Sequence, residues 1–401
     1  MNKSEEYVAR LCEKTFLSLW SYPTPRGKDA RKELCDILVL CDPDVIIFSI
    51  KEIEVKESGN ISRDWKRWLK RSIDESVKQI YGAESWINKS SHVITKDGKI
   101  MLPFPDGLCR KIHRVAVALG RGEKWPLYLG DFGKGFVHAF DERSLDTVIN
   151  ELDTITDFVK YLSDVEAFLT KGVEITLKGG EEDLLALYLT NGRVFPDKFN
   201  ALYLDDNLWK GFIKRPEYRA KKEADKDSYI WDRLIEIISA DLQAGNLEVG
   251  NSLSDVELTL RIMAREDRFS RRVLGKSFIE FIELARQKKV RSRFTQSPSG
   301  VPYVFLGRPH GEDRNTRRKE LGLRCFVVRG LYPNQTKVVG IATEQYEPGK
   351  GFSLDVLLFS QDNWTAKDKS LMEQVQSELG YFKKPIKTYG HEDEYPNPSQ
   401  K

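Results

Sequence analysis

The chain has 401 residues, 40% hydrophobic and 31% charged, a balance typical of a globular protein with a sizeable core. Its 64 basic and 61 acidic residues leave a net charge of only +3, so partner choice must depend on local charge clusters. The five cysteines show no Cys-x-x-Cys spacing, which excludes a recognisable zinc site or disulfide framework.

The N-terminal sequence Met-Asn-Lys-Ser-Glu-Glu lacks the apolar core of a signal peptide. No run approaches the roughly 20 apolar residues that a membrane span requires. We therefore expect a cytoplasmic protein without membrane contact.

The first 90 residues carry the clearest secondary-structure pattern. Apolar residues at helical spacing over 4–20 predict an amphipathic helix, which two prolines and a glycine directly after it must end. Two β-branched apolar runs, 33–41 and 45–51, flank Asp42-Pro43-Asp44 and predict a β-hairpin. Both runs are apolar at successive positions, which is typical of central strands covered on both faces.

The remaining elements follow from the same periodicities. A long helix is predicted from about Asp64 to Tyr81, strands at 111–119 and 135–140, and one helix over about 144–169. The elements predicted beyond residue 228 are helices at 228–243, 254–264, 266–289 and 365–379, and strands at 301–307, 323–330, 336–343 and 353–359.

This pattern predicts two domains. We expect an α/β domain over residues 1–205 with its core in 1–90, then a basic linker over 206–227. An α+β domain is predicted over 228–384, followed by a loose tail over 385–401.

Four polar residues, Glu33, Asp36, Ser49 and Lys51, interrupt the two apolar runs of the hairpin. Antiparallel pairing places the start of the first strand opposite the end of the second, so Asp36 and Lys51 should converge. Ser49 and Lys51 point to the same face by strand parity. Glu33 can reach the same end if the chain bends before Asp36.

Two carboxylates and an ammonium group at one strand edge suit phosphodiester hydrolysis. Carboxylate oxygens bind Mg²⁺, which activates water and stabilises the leaving oxygen. A lysine beside them can orient the attacking water or offset transition-state charge. The alternative is that these polar groups lie at strand ends simply because strand ends meet solvent.

The order of helix, broken loop, acid-bearing strand, strand ending in a lysine and long helix resembles the PD-(D/E)XK, or restriction-endonuclease-like, nuclease superfamily. Asp36 matches its first strand acid, Ser49-Ile50-Lys51 lies where its (D/E)-x-K motif belongs, and Glu33 resembles an additional upstream acid. Gln79 resembles the helix glutamine that some branches place near the metal. The resemblance covers about 90 of the 401 residues.

The resemblance implies a restriction-endonuclease-like N-terminal domain, with a central mixed sheet flanked by helices. It implies Glu33 and Asp36 as ligands of Mg²⁺ or Mn²⁺, with Lys51 and Gln79 completing the catalytic set. The expected activity is endonucleolytic cleavage of nucleic acid, DNA before RNA, and by analogy a role in defence against foreign DNA.

Ser49 departs from this pattern, because serine is a weaker Mg²⁺ ligand than the carboxylate expected there. The chain could therefore be active with Glu33 and Asp36 alone, or be a degenerate module for nucleic-acid binding or assembly. A third possibility is that the C-terminal domain senses a ligand or partner protein and gates the nuclease. Whether the chain forms a homo-oligomer stays open.

Two basic stretches could hold nucleic acid. Lys66, Arg67, Lys70 and Arg71 line one side of the long helix near the expected site. Residues 261–293 carry eleven basic and four acidic residues, a local charge of +7, and within them Arg265, Arg268 and Arg272 follow helical spacing. The alternative for residues 261–293 is a solvated helix face, and the basic face of the long helix is the better candidate for holding substrate.

His113 opens the strand predicted at 111–119. It could extend the site as a general base, but a histidine satisfied by a neighbour within a strand is the commoner meaning.

Overall fold

The computed structural model describes residues 1–27, 32–54, 58–120, 127–171, 174–197, 201–245, 253–345, 347, 349–383 and 392–397. The chain divides into two compact units, Met1–Arg215 and Pro216–Lys401. Each unit combines helices with a multi-stranded sheet, so the predicted mixture of helix and sheet is confirmed. No helix in the described part of the chain is long and apolar enough to cross a membrane.

Unit 1 (Met1–Arg215) contains both central and peripheral strands. The strands are β1 (Ser21–Pro23), β2 (Ile37–Cys41), β3 (Asp44–Glu52), β4 (His92–Ile94), β5 (Ile100–Pro103), β6 (Lys111–Leu119), β7 (Gly130–Asp131), β8 (Phe136–Phe140), β9 (Glu174–Leu177) and β10 (Ala201–Leu204). Six of them form one mixed sheet in the order β1-β2-β3-β6-β8-β7, while β4 pairs with β5 and β9 with β10.

Helices cover both faces of this sheet. The helices of unit 1 are α1 (Lys3–Phe16), α2 (Ile61–Leu69), α3 (Glu75–Ile87), α4 (Glu142–Glu151), α5 (Ile155–Leu169), α6 (Glu181–Thr190) and α7 (Leu208–Phe212). A π-helical turn, Lys70–Asp74, joins α2 to α3, so the predicted long helix is present with a bulge in its middle.

The predicted central hairpin is confirmed. β2 and β3 are antiparallel with Ile37 opposite Phe48, and their turn contains a cis Asp42-Pro43 peptide. β3 then pairs in parallel with β6 along its whole length. Every residue of β2 is buried, which explains why the run is apolar at successive positions.

An aromatic cluster forms the core on one face of β3. The Phe48 ring lies 6.4 Å from that of Phe16 in α1 and 6.5 Å from that of Phe158 in α5. The residues that alternate with Phe48 along β3 point to the opposite face, where α3 packs. That second face carries the polar end of the strand.

The predicted helix over 144–169 is two helices. α4 ends at Glu151, and α5 begins after Thr154, whose side chain accepts a hydrogen bond from the Asp157 backbone. An N-cap of this kind satisfies a backbone donor at a helix start, and periodicity alone does not reveal it.

Unit 2 (Pro216–Lys401) begins with helices. Its elements are α8 (Pro216–Ala224), a 3₁₀ turn (Asp225–Ser228), α9 (Tyr229–Gln243), α10 (Leu253–Ala264), α11 (Arg268–Arg286), β11 (Ser292–Gln296), β12 (Pro302–Arg308), α12 (Arg314–Leu331), β13 (Lys337–Glu344), β14 (Leu354–Ser360) and α13 (Ala366–Leu379). The four strands form one sheet in chain order, with β12 and β13 parallel and joined through α12.

The strand predicted at 323–330 is wrong, because this stretch belongs to α12. Leu321, Cys325 and Val328 are fully buried at positions i, i+4 and i+7, which is a helical stripe. The neighbouring Val327 is also buried and makes the run apolar at successive positions, which imitates a strand.

Two further stretches differ from their predictions. Where the sequence predicts a basic linker over 206–227, the structure has α7, α8 and most of the 3₁₀ turn, with Lys221 buried. Within the tail predicted to be loose, residues 392–397 pack against α11. The tail residues 385–391 and 398–401 lie outside the described residues.

Candidate functional site

The polar cluster lies where β2 begins and β3 ends. Because Ile37 faces Phe48, the preceding Asp36 lies beside Ser49 at the edge of the pair. The Asp36 carboxylate accepts a hydrogen bond from the backbone N–H of Ile50. Lys51 Nζ lies 3.9 Å from Asp36 Oδ2, so the two residues that antiparallel pairing should unite are close together.

The amide of Gln79 in α3 links these side chains. Its Oε1 accepts hydrogen bonds from Ser49 Oγ and from Lys51 Nζ, both at 2.8 Å. Its Nε2 donates to Asp36 Oδ1 at 3.3 Å. One amide therefore contacts the acid, the hydroxyl and the ammonium group, and fixes their relative positions.

Contacts along the same helix hold Gln79 in place. Arg114 of β6 makes a two-pronged ion pair with Glu84 of α3, through contacts of 2.7 and 2.6 Å. Tyr81 Oη donates to the Gly135 backbone carbonyl at 2.7 Å. Planar Arg–carboxylate pairs of this type restrict orientation as well as distance, so the helix face carrying Gln79 is well defined.

Glu33 completes the cluster at its exposed side. Burial, then the charge of Asp36 and a hydrogen bond with it, raise the pKa of Glu33. Glu5, near the start of α1, raises the pKa of Glu33 further, while the N-terminal ammonium group lowers it. The start of α1 therefore borders the site, a proximity that no local spacing in the sequence signals.

The acids present suit one Mg²⁺ ion rather than two. Asp36 accepts hydrogen bonds from the Ile50 N–H and from Gln79 Nε2 and shares one with Glu33. Two carboxylate oxygens carry about four lone-pair sites, so a site for a cation is left. Mg²⁺ commonly binds through one or two carboxylates and keeps several waters. In the described part of the chain, no group of three or more His, Cys, Asp or Glu side chains could hold a metal ion.

No family model, curated protein or solved structure matches the chain.

The two predicted nucleic-acid surfaces differ in how exposed their basic residues are. Lys66, Arg67, Lys70 and Arg71 are all exposed, on α2 and the π turn that lead into the helix of Gln79. In unit 2, by contrast, Arg268 and Arg272 are each only 2% exposed, and Arg265 is half-buried. The exposed arginine stripe predicted for Arg268 and Arg272 is therefore absent, because both guanidinium groups are buried.

The buried arginines serve the interior of unit 2. Arg268 and Arg271 both bind the carboxylate of Asp232, at 2.9 and 2.5 Å. Arg272 contacts Asp225 at 3.2 Å. A guanidinium group out of water needs such partners, and each partner lies on an element distant in the sequence.

His113 lies away from the cluster. Its Nε2 is 2.7 Å from Asp44 Oδ1 at the start of β3, whereas the cluster lies at the end of that strand. His113 is thus a satisfied strand histidine, as the commoner interpretation predicts. Its neighbour His138 is also buried, and desolvation lowers the pKa of that imidazole to about 3.

Proposed function

We propose that unit 1 is a metal-dependent phosphodiesterase that cleaves nucleic acid on a restriction-endonuclease-like core. The observation that carries this proposal is the convergence of Asp36, Lys51 and Gln79 at one strand edge, with Glu33 beside them. An acid pair that can hold a divalent cation, together with an ammonium group and an orienting amide, is chemically suited to a phosphodiester and its attacking water.

Each residue has a distinct role in this proposal. Glu33 and Asp36 would hold a single Mg²⁺ ion, which when bound supplies Lewis-acid activation of water and of the scissile phosphate. Lys51, with 27% of its side chain exposed, can reach a phosphate oxygen or the attacking water. Gln79 holds the Lys51 and Asp36 side chains in fixed positions through a hydrogen bond to each.

The exposed basic surface of α2 and the π turn (Lys66, Arg67, Lys70 and Arg71) would bind the phosphate backbone. Such contacts release counterions and give affinity without sequence preference. DNA is the substrate we favour, as in the superfamily that the sequence resembles.

A second candidate function is a catalytically degenerate module that only binds nucleic acid. Ser49 favours it, because this fully buried hydroxyl is bound to Gln79 and stands where a second carboxylate ligand would be expected. The two candidates differ in whether phosphodiester cleavage depends on Asp36 and Lys51.

A plasmid-cleavage assay with Mg²⁺ or Mn²⁺ distinguishes the nuclease from the degenerate binding module. Asp36→Asn and Lys51→Met should each lower the rate by about 100-fold or more, because the first removes a metal ligand and the second removes a charge beside the reacting phosphate. The matched control is Lys111→Met, which removes an exposed lysine at the opposite end of the neighbouring strand and should leave the rate unchanged.

Metal binding by the same variants separates the two functions. Wild-type protein should bind one Mn²⁺ ion in a calorimetric titration, and Asp36→Asn should bind it much more weakly. If the wild type cuts no DNA or RNA with any divalent ion but still binds nucleic acid, the degenerate module is correct.

A further inference from the structure

Unit 2 holds a segment near its own C-terminus in a groove that combines buried and exposed cations. The groove consists of Arg272 and Lys276 on α11 with Lys221 and Asp225 from the α8 region; the segment is residues 392–397. All of these residues belong to unit 2.

The Arg272 side chain binds mainly the backbone of the segment. Its Nη2 donates to the Asp393 carbonyl at 2.6 Å and its Nη1 to the Glu394 carbonyl at 3.2 Å. The Nε atom lies 3.6 Å from Glu392 Oε2. A guanidinium group that is 2% exposed thus makes two hydrogen bonds to this short stretch of chain.

Two lysines add contacts on either side. Lys276, 52% exposed, forms an ion pair with Glu392, and this contact raises the pKa of Lys276. Lys221 Nζ lies 6.0 Å from the centre of the Tyr395 ring, within the range of a cation–π contact. The segment therefore fits the groove at its acidic end and at its aromatic residue.

The charges of the groove explain why it needs an acidic occupant. Arg272 and Lys221 share the carboxylate of Asp225, at 3.2 and 2.7 Å. The segment adds the Glu392 carboxylate beside Lys276 and two backbone carbonyls to Arg272. A buried guanidinium group is stabilised by such acceptors, so an acidic peptide that offers backbone carbonyls is favoured.

We infer that this groove is a binding site for an acidic peptide of the type Glu-Asp-Glu-Tyr, and that residues 392–397 of the same chain occupy it. Recognition depends on two hydrogen bonds from the Arg272 guanidinium group to backbone carbonyls and on the ion pair of Lys276 with one carboxylate. The inference is independent of the nuclease proposal, because it concerns unit 2 alone.

Cross-linking in the full chain tests the occupant. In a Cys109→Ser background, which removes the exposed cysteine, Lys276→Cys and Glu392→Cys are combined and treated with a short bismaleimide. We expect an internally cross-linked monomer, and no such product from either cysteine alone. A cross-linked dimer, or no cross-link, would overturn the assignment of the segment to its own chain.

Peptide binding tests the groove itself. A labelled peptide spanning Glu392–Asn397 should bind a variant truncated after His391, and should bind the full chain at least about tenfold more weakly, because the attached segment competes at high effective concentration. Lys276→Glu in the truncated protein should weaken binding about fivefold. Lys289→Glu, the same charge change beyond the end of α11, should not.

Equal binding to both proteins, no binding to a folded truncated protein, or equal effects of the two charge reversals would each contradict the inference. If the truncated protein does not fold, the cross-linking of the full chain still decides whether residues 392–397 occupy the groove of their own chain.

Discussion

At the scale of single residues, the site depends on the three hydrogen bonds of the Gln79 amide. Ser49 and Lys51 both donate to its oxygen, and its nitrogen donates to Asp36. Ser49 is fully buried, so the hydroxyl is a structural link between β3 and α3 and not a free ligand. The pattern explains how a serine can stand at this position without leaving a buried polar atom unsatisfied.

Ser49→Asp should create a third carboxylate at the candidate metal site. Without metal, the buried charge beside Asp36 should lower the free energy of unfolding by about 2–4 kcal/mol. Mn²⁺ should restore that stability and bind more tightly than to wild type. Thermal unfolding with and without Mn²⁺ measures both effects.

Ser49→Asn is the control for Ser49→Asp, because it has similar size and no charge. A Ser49→Asp protein that Mn²⁺ does not stabilise would argue against a metal at this edge.

Glu181, the first residue of α6, should make stability depend on pH. Burial, above all, raises its pKa to about 7, and Tyr161 Oη donates to it at 2.8 Å. Since the folded pKa lies above the unfolded value, its stabilising contribution is complete below the unfolded pKa and is lost as pH rises through about 7.

Glu181→Gln removes this titration while keeping an acceptor for Tyr161. Between pH 5 and 9, the variant should gain about 2–3 kcal/mol of unfolding free energy relative to wild type. Urea titrations across this range measure the difference. A constant difference would show that Glu181 stays ionised in the folded protein.

At the scale of elements, the close packing of a neighbouring turn decides which residue a position in a helix can hold. Gly275 lies in the middle of α11, where the 3₁₀ turn of residues 225–228 crosses it. A Cβ atom at Gly275 would overlap the backbone carbonyl oxygen of Asp227. The glycine is therefore required by packing, although glycine is a poor helix former.

Gly275→Ala should lower the free energy of unfolding of unit 2 by about 1–3 kcal/mol, because overpacking against backbone exceeds the roughly 1 kcal/mol gained in helix propensity. Gly322→Ala in α12 is the matched control, since its nearest neighbour, Leu357 Cδ1, is 4.0 Å away. That variant should be neutral or stabilising. Chemical denaturation of both variants checks the contrast, and equal effects would contradict it.

At the scale of the whole molecule, the candidate site is complete within one unit. Glu33, Asp36, Lys51 and Gln79, and the pair of Arg114 with Glu84 that holds α3, all lie in Met1–Arg215. The buried arginine network and the C-terminal segment lie in Pro216–Lys401. The candidate site and the groove that holds residues 392–397 thus belong to different units of the chain.

A fragment of residues 1–215 should fold and bind Mn²⁺ with an affinity within about twofold of the full chain, because a unit with its own core can fold alone. Circular dichroism and calorimetry check this expectation. Faster DNA cleavage by the fragment would support the gating role considered for the C-terminal domain. A fragment that does not fold would show that unit 1 depends on unit 2.

The sequence by itself determined the central hairpin, because two apolar runs around an Asp/Pro turn leave few alternatives. It also predicted that Asp36 and Lys51 converge, since antiparallel pairing and strand parity are short-range rules. Most helices followed from their periodicity as well.

Only the tertiary structure decided which charges are exposed. The helical spacing of Arg268 and Arg272 is compatible with a phosphate-binding surface, but their partners Asp232 and Asp225 come from distant elements and bury them. The same holds for the helix at 323–330 and for the place of residues 392–397 against α11. Local patterns fix backbone geometry, whereas burial depends on which surfaces meet after the chain has folded.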